Sequence, residues 1–251
     1  MKALLSNDDG YLSPALNQLQ RICQKHFEHL AVIAPDRNCS GASNALTLRH
    51  PIYTHTHSNG YISVEGTPTD CVHIGLLGVF DTPFDIVIAG INLGANLGDD
   101  VVYSGTVAAA VEGRFLGYPA IAVSITSPNP QHYDGAEWVL DTVISKLKQH
   151  NLPKNIILNI NIPDIPKSRL KGIKVTRLSF RHQAEAVKTV TDKHGQVAYW
   201  IGPPGEMGDV SDDTDIYAVE NGYASITPIH TDLTRHTSLQ LVSDWLGKNH
   251  V

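Results

Sequence analysis

The sequence predicts an α/β fold with a doubly wound, mostly parallel sheet in three Rossmann-like layers, followed by a β-rich C-terminal extension. Up to residue 163, short continuous apolar runs alternate with helical patterns. Such runs are typical of parallel strands that helices cover on both faces. Beyond residue 163 the runs are shorter, partly alternating and separated by turn-rich segments. We therefore expect 1–251 to be a single α/β domain in which 164–251 is an extension used for oligomerisation.

Five apolar runs are the predicted strands of the core, and two shorter β-like pieces accompany them. The runs lie at 3–5, 31–34, 86–89, 121–123 and 156–158, and the shorter pieces at 46–48 and 61–64. In the extension, strands are predicted at 175–180, 197–201, 216–219 and 224–229, before a final helix that includes 239–246.

Capping residues indicate where the helices begin. Ser13 followed by proline is typical of an N-cap and a first helical residue. Thr67, Pro68 and Asp70 give the same signal with an acid at the third helical position, and this helix is predicted to run toward residue 78. Ser104 opens a third helix, and apolar residues at 136–147 form the clearest amphipathic helix.

The charge balance restricts the partners. The 251 residues carry a formal net charge of −6, with 42% hydrophobic and 18% charged residues. Proteins that bind DNA or RNA normally carry a basic patch, and no dense run of Lys or Arg occurs in this sequence. We expect no nucleic-acid polymer as a partner, whereas a small anionic ligand is compatible with the composition.

The cysteines and the N-terminal segment predict a cytoplasmic protein. Cys23, Cys39 and Cys71 are odd in number and widely spaced, which is typical of free thiols in a reducing compartment. The first apolar run is far too short for the core of a signal peptide. No stretch approaches the ~20 apolar residues of a membrane-spanning helix, so we expect no membrane partner.

Polar residues follow three of the predicted strands. Asp8 and Asp9 follow the first strand, 36–44 follows the second, and 92–100 follows the run at 86–89. In an open parallel sheet, ligands bind at the carboxyl ends of the strands, where such loops converge. The three loops are therefore predicted to share one site.

The donor atoms in these loops favour a hard divalent cation. The carboxylates come from Asp8 and Asp9. A hydroxyl comes from Ser40 or Ser43, and an amide oxygen comes from Asn92 or Asn96. Such a set favours Mg²⁺, Mn²⁺ or Ca²⁺ over zinc. A turn that caps the next helix is the alternative, and it accounts for one acid but not for two. If both acids hold one ion, the chain must leave strand geometry at or before Asp8, because consecutive strand residues point to opposite faces.

The glycine-rich segment at 90–98 has two interpretations. It fails the G-x-G-x-x-G spacing and lacks the Lys-Ser/Thr ending of a P-loop, which disfavours an NAD-dependent oxidoreductase. Its glycines suit a structural loop as well as a binding loop. The following Ser104-Gly105-Thr106 favours binding, because a helix N-terminus with free amides is an anion site.

Four long segments, in order along the chain, carry a resemblance to a known family. They are S-N-D-D-G at 6–10, A-P-D-R-N-C-S-G-A-S-N at 34–44, G-T-P-T-D-C-V at 66–72, and G-I-N-L-G-A-N-L-G-D-D-V-V-Y-S-G-T-V-A-A-A at 90–110. These segments resemble the SurE family of survival-protein-E 5′-nucleotidases, also described as acid phosphatases. The resemblance continues at 156–163, 199–205, 223–228 and 243–246, and so covers essentially the whole chain.

The resemblance implies one phosphatase domain that hydrolyses nucleoside 5′-monophosphates and, in some members, 3′-monophosphates and short polyphosphate. It implies one Mg²⁺ or Mn²⁺ per subunit. The implied metal ligands are Asp8, Asp9, Ser40 and Asn92, with Asp8 and Asp9 as catalytic residues, and the implied phosphate contacts are Asn96, Ser104, Gly105 and Thr106. It also implies a cytoplasmic homodimer or homotetramer assembled through the C-terminal extension.

The predicted reaction is attack of water on a phosphomonoester, with Asp8 aiding the nucleophile. Direct attack by Asp8 or Asp9, which forms an aspartyl phosphate, is the alternative. The adjacent acids lack the D-x-D pattern of phosphatases that use this intermediate, which favours water. A non-catalytic nucleotide sensor on the same fold is a further hypothesis, and it predicts nucleotide binding without turnover.

Overall fold

The computed structural model describes residues 1–150, 152–181, 186–201 and 205–247. A nine-stranded sheet runs through it in the order β3-β4-β2-β1-β5-β6-β7-β11-β8. Its strands are β1 (Lys2–Ser6), β2 (His29–Pro35), β3 (Thr54–Thr56), β4 (Ile62–Val64), β5 (Ile86–Leu93), β6 (Ala120–Ile125), β7 (Ile157–Ile162), β8 (Ile173–Val175) and β11 (Ala224–Ile229). β9 (Lys188–Thr191) and β10 (Val197–Trp200) form a separate antiparallel hairpin.

The centre of the sheet is parallel and doubly wound. β4, β2, β1, β5, β6 and β7 pair in parallel, while β3 and β11 are antiparallel to their neighbours β4 and β7. Because the chain starts in the middle and winds first to one side and then to the other, the topology switches direction between β1 and β5. In such sheets the crevice for a ligand opens at this switch point.

Helices cover both faces of the sheet. The helices that pack against it are α1 (Pro14–Cys23), α2 (Pro68–Ile74), α3 (Gly105–Phe115), α4 (Tyr133–Gln149) and α5 (Asp215–Glu220), whereas α6 (Leu239–Leu246) is exposed along its whole length. Along β1, Leu5 faces the cluster that contains α1 and α4, whereas Leu4 faces the cluster that contains α2 and α3. Burial of consecutive residues on opposite faces is why the strands are continuous apolar runs. The predicted three-layer α/β fold is confirmed.

The caps explain where the helices start. Thr67 Oγ1 accepts from the Asp70 amide at 3.1 Å, and Asp70 Oδ2 accepts from the Thr67 amide at 2.9 Å, so the predicted capping box is confirmed. The helical path continues past α2 as a π-helix at Gly75–Val79. Ser104 Oγ caps α3 by accepting from the Val107 amide at 3.1 Å. Ser13 precedes α1, but its side chain makes no capping hydrogen bond.

Two predicted strands are wrong. Residues 216–219 belong to helix α5, because Thr214 Oγ1 caps a helix by accepting from the Tyr217 amide at 3.3 Å. Residues 46–48 form no strand; Thr47 instead donates its backbone N–H and its hydroxyl to the Asp70 carboxylate. The outermost strand on that side is β3, farther along the chain.

The segment 164–251 contributes two strands to the main sheet. β11 pairs antiparallel with β7, and β8 pairs with β11. The strand predicted at 175–180 is misplaced: β8 covers Ile173–Val175, and residues 176–180 form no strand. The strand predicted at 224–229 and the final helix are confirmed as β11 and α6.

Within the described part of the chain, no helix has the length and apolar character needed to cross a membrane.

Candidate metal and phosphate site

The acidic pair lies in a turn directly after β1. The strand ends at Ser6, so the predicted departure from strand geometry before Asp8 is confirmed. The Asn7 side chain closes the turn, because its Nδ2 donates to Gly10 O at 3.0 Å and its Oδ1 accepts from the Gly10 amide at 3.2 Å. Such local hydrogen bonds from a side chain take the place of the backbone hydrogen bonds that a continuing strand would make. Asp8 and Asp9 are thereby released from the alternation of a strand.

Asp8 is buried against the N-terminus of α3. Its side chain is 4% exposed, and Thr106 Oγ1 donates a short hydrogen bond to its Oδ1. Gly105 lets the helix approach, since a Cβ at that position would lie 2.7 Å from Asp8 Cβ. Burial raises the pKa of Asp8 above its ordinary value, and the bond from Thr106 opposes this rise.

Asp9 carries a buried oxygen with no hydrogen-bond partner among the described residues, its Oδ2. Its Oδ1 lies 3.5 Å from Asn38 Nδ2, at the limit of a hydrogen bond. Burial, followed by the neighbouring Asp8 charge, raises the pKa of Asp9 to about 6, and the backbone of Leu93 offsets part of this rise. An ionised carboxylate in this position is costly unless a cation compensates it.

The loop after β2 brings Ser40 to the acidic turn. The Cys39 amide donates to Asp8 O at 2.8 Å, which ties the two loops together. The Ser40 amide donates to Asn38 Oδ1 at 2.8 Å, and its side chain is exposed toward a pocket that Asp8 also lines. The predicted meeting of these two loops is therefore observed.

Asn92 stands at the irregular end of β5. The register between β5 and β6 shifts between Ala89 and Asn92. Gly90 makes this possible, because it has φ +137 and a Cβ there would lie 2.4 Å from Val123 O. The Asn92 Nδ2 donates to Gly94 O at 2.9 Å, so its amide oxygen is the atom available to a cation.

A buried amide network holds Asn96. Asn161 accepts from the Asn96 amide at 2.8 Å and donates to Asn96 O at 2.9 Å, and Asn159 donates to the same oxygen at 2.8 Å. The Asn96 side chain donates to Ser124 Oγ at 2.8 Å. Asn159, Asn161 and Ser124 are fully buried. Because buried amides with two or more partners are rigid, this network fixes the loop that carries Asn96.

These residues surround an open pocket of about 370 Å³ at the carboxyl ends of β1 and β5. Five of the predicted site residues line it: Asp8, Ser40, Asn92, Asn96 and Ser104. Asp9, Gly105 and Thr106 are not part of this lining; Gly105 and Thr106 instead support Asp8 from behind. The pocket is also lined by Asp100 and Tyr103, which the sequence reasoning missed.

Arg181 fixes the loop that carries Asp100. Its Nε and Nη2 donate to the two Asp100 oxygens at 3.0 and 2.7 Å, and its amide donates to Asp99 Oδ2 at 2.8 Å. Asp215, which is fully buried, accepts from the Gly98 amide at 2.8 Å and the Ser179 amide at 2.9 Å. The C-terminal segment thus positions one wall of the pocket.

The donor set fits a hard divalent cation. No group of three or more His, Cys, Asp or Glu side chains that could hold a metal occurs in the described ranges. A site with two carboxylates, a hydroxyl and an amide oxygen does not require such a group, because Mg²⁺ keeps waters and substrate oxygens in its shell. The Asp9 oxygen that has no partner among the described residues is a donor that such a cation could use.

Comparison with known proteins identifies the family of this chain. The model of the family "Survival protein SurE" matches residues 3–185, which include all the candidate site residues. This chain belongs to the SurE family. SurE nucleotidases depend in general on a divalent metal.

The relatives extend over nearly the whole chain. The chain is 49% identical to the 5′-nucleotidase SurE of Nitrosococcus oceani over 248 residues, which are 99% of this chain and 98% of the relative. The identity to the 5′-nucleotidase SurE of Legionella pneumophila is also 49%, with the same coverage. The crystal structure of the SurE protein from Aquifex aeolicus superposes with a TM-score of 0.86 at 38% identity, covering 98% of this chain and 100% of that one.

Proposed function

We propose that this protein is a 5′-nucleotidase, a divalent-metal-dependent phosphomonoesterase that converts nucleoside 5′-monophosphates to nucleoside and inorganic phosphate. The observation that carries the proposal is the acidic pair at the switch point of the sheet, where Asp9 has a buried oxygen without a partner. Relatives at 49% identity named 5′-nucleotidase SurE support the same activity. Nucleoside 3′-monophosphates and short polyphosphate are additional candidate substrates of the same site.

One divalent cation per subunit, Mg²⁺ or Mn²⁺, is held by Asp8, Asp9, Ser40 and Asn92. Their oxygens are hard donors that suit either ion. The bound cation polarises the phosphoryl group and neutralises charge that develops during hydrolysis.

The phosphate is bound by Asn96, Ser104, Gly105 and Thr106. The first amides of α3 have no partner within the helix, so they suit an anion. Ser104 Oγ accepts from the Val107 amide and keeps its own proton for a phosphate oxygen. The hydroxyl and the backbone amide of Thr106 both interact with the Asp8 carboxylate, so this residue contributes to the phosphate site by holding Asp8 in place.

Asp8 orients the attacking water and accepts its proton. The bond from Thr106 fixes the carboxylate, and Asp8 lines the pocket where a phosphate would lie. General-base catalysis requires a base within hydrogen-bond reach of the nucleophile, which this position allows. Attack by a carboxylate is the competing route, and detection of a phospho-aspartate by rapid quench would replace water attack with that route.

The deciding experiment is phosphate release from AMP or GMP with Mn²⁺ or Mg²⁺, repeated with EDTA and with Asp9→Asn. We expect turnover in the wild type and its loss in both tests. Asp81→Asn, which changes an exposed aspartate, is the matched control and keeps full activity. Metal-linked nucleotide binding without phosphate release would identify a nucleotide sensor instead.

The protein is a homodimer or homotetramer that assembles through 164–251, the extension of its single phosphatase domain. Exposed apolar side chains in this segment support the assignment, including Trp200 at 68% and Trp245 at 81% exposure. Association would bury this surface. A monomer in sedimentation would contradict it.

The protein works in the cytoplasm. Its three free cysteines, two of them buried, suit a reducing compartment. Fractionation of cells, followed by immunodetection of the native protein, tests this assignment.

A further inference from the structure

One aromatic side chain stands among the described residues that line the pocket, and it is Tyr103. Its side chain is 68% exposed, although it immediately precedes the buried Ser104. The other lining residues are small, polar or acidic, apart from Leu93. Neither phosphate binding nor metal binding explains why a large exposed ring lies beside this polar pocket.

The backbone of Tyr103 is fixed from two sides. Its amide donates to Asp100 O at 3.1 Å, and its carbonyl accepts from the Ser43 amide at 3.3 Å. Ser43 Oγ also donates to the neighbouring Val102 O at 2.7 Å. Asp100 is in turn held by Arg181. The ring therefore projects from a rigid position between the loop after β2 and the loop before α3, which lowers the entropy lost when a ligand stacks on it.

The position of the ring matches the shape of a nucleotide. Consecutive Cα atoms are about 3.8 Å apart, so Tyr103 directly adjoins the residues assigned to the phosphate, Ser104 and Gly105. A ligand whose phosphate is held there must extend its remaining part out of the pocket, past the exposed ring. In a nucleoside monophosphate that part ends in a flat heterocycle, which stacks favourably on an aromatic side chain.

We propose that Tyr103 is the stacking platform for the nucleobase of the substrate. This inference rests on the proposed nucleotidase function and adds a base subsite to it. Because every base has a π-face, stacking selects for the presence of a base more than for its identity. The subsite predicts that nucleotides are preferred over sugar phosphates of the same ester type.

The test compares AMP with ribose 5-phosphate, which has the same ester and sugar but no base. We would measure kcat and KM for Tyr103→Leu, which removes the ring, and for Tyr103→Phe, which keeps it. Tyr53→Leu is the matched control, because Tyr53 is also 68% exposed but lies outside the pocket lining. Since stacking contributes on the order of 1–3 kcal/mol per base, Tyr103→Leu is expected to raise KM for AMP about tenfold.

The pattern across substrates decides the outcome. The proposal predicts an unchanged KM for ribose 5-phosphate in Tyr103→Leu, wild-type values in Tyr103→Phe, and no effect of Tyr53→Leu. Equal losses for both substrates, or an unchanged KM for AMP, would overturn the platform while leaving the nucleotidase intact.

If the wild type hydrolyses neither substrate, the nucleotidase function fails. The platform is then judged by calorimetric affinities for the two compounds with Mn²⁺, where a loss confined to AMP supports it and equal affinities overturn it.

Discussion

The pocket at the switch point and two C-terminal elements, the β9–β10 hairpin and helix α6, depart from the usual distribution of side chains in opposite ways. At the pocket, Asp8 is 4% exposed, and the adjoining Asp9 has a buried oxygen with no partner among the described residues. In the C-terminal elements, Trp200 of β10 is 68% exposed and Trp245 of α6 is 81% exposed. Buried charge without a partner and exposed apolar area are both unfavourable. The first departure supports the proposed cation, and the second supports the proposed association of subunits.

The largest expected effect is that of Asp9→Asn. We expect loss of activity by about 100- to 1,000-fold, the order of magnitude of removing one electrostatic contributor, because a proposed metal ligand is lost. The same change removes a buried charge, so the metal-free variant should melt about 2 °C above the metal-free wild type. Calorimetry and phosphate release on the same samples check both results. A variant that is less stable without metal would show that Asp9 is structural.

A smaller loss is expected for Asn161→Leu, which breaks two hydrogen bonds to the Asn96 backbone. The Asn96 amide is left unpaired, which costs about 1–3 kcal/mol, whereas the Asn96 carbonyl keeps its hydrogen bond from Asn159. Activity should fall about 10- to 100-fold as the loop loses its position. Denaturant unfolding and kcat/KM measure the two effects. Asn155→Leu, at an exposed position, is the control, and similar losses in both variants would refute a specific role of Asn161.

Arg181→Gln tests whether the C-terminal segment positions the pocket wall. The variant loses the paired bonds to Asp100, and such bidentate pairs are stronger than neutral hydrogen bonds. We expect KM for AMP to rise about threefold to tenfold, equivalent to roughly 0.7–1.4 kcal/mol, with a smaller change in kcat. Arg169→Gln, an exposed arginine outside the pocket lining, should leave KM unchanged. Identical kinetics in the two variants would show that Asp100 needs no anchor.

The smallest effect on activity is expected from Trp245→Gln. This exposed side chain lies on α6, away from the residues that line the pocket. The change should shift the sedimentation coefficient toward the monomer while kcat per subunit stays within about twofold, because an exposed aromatic residue is a typical interface anchor. Leu77→Gln, which alters an exposed residue outside the C-terminal segment, should not change sedimentation. If the Trp245 variant sediments like the wild type, Trp245 is not part of the interface between subunits.

The core of the fold was predictable because its signal is local. Continuous apolar runs mark β1, β2, β5, β6 and β7, and capping residues mark α2 and α3. Residues 216–219 were misassigned because a short apolar run fits a strand or a helix equally well, and Thr214 decides between them only through its capping bond. The pairing of β8 and β11 with the sheet depends on contacts that no local pattern encodes.

The position of the candidate site could also be predicted from local patterns, but the residues that support it could not. Loops that follow successive strands identify Asp8, Ser40 and Asn92, since parallel strands bring their carboxyl ends together. The supporting residues escaped prediction because their partners are remote: 65 residues separate Asn161 from Asn96, and 81 separate Arg181 from Asp100. The two asparagines of 159–161 do share one face of β7, which is the signal that could have identified them.

The bond between Asp215 and the Gly98 amide spans 117 positions of the chain. Domains form as the polypeptide leaves the ribosome, with the N-terminal part first. Every residue assigned to the metal is therefore synthesised more than a hundred residues before the carboxylate that secures Gly98. A nascent chain can contain all of the proposed ligands and still lack the carboxylate that holds Gly98, so we expect hydrolysis to begin only after the segment that carries Asp215 has been synthesised.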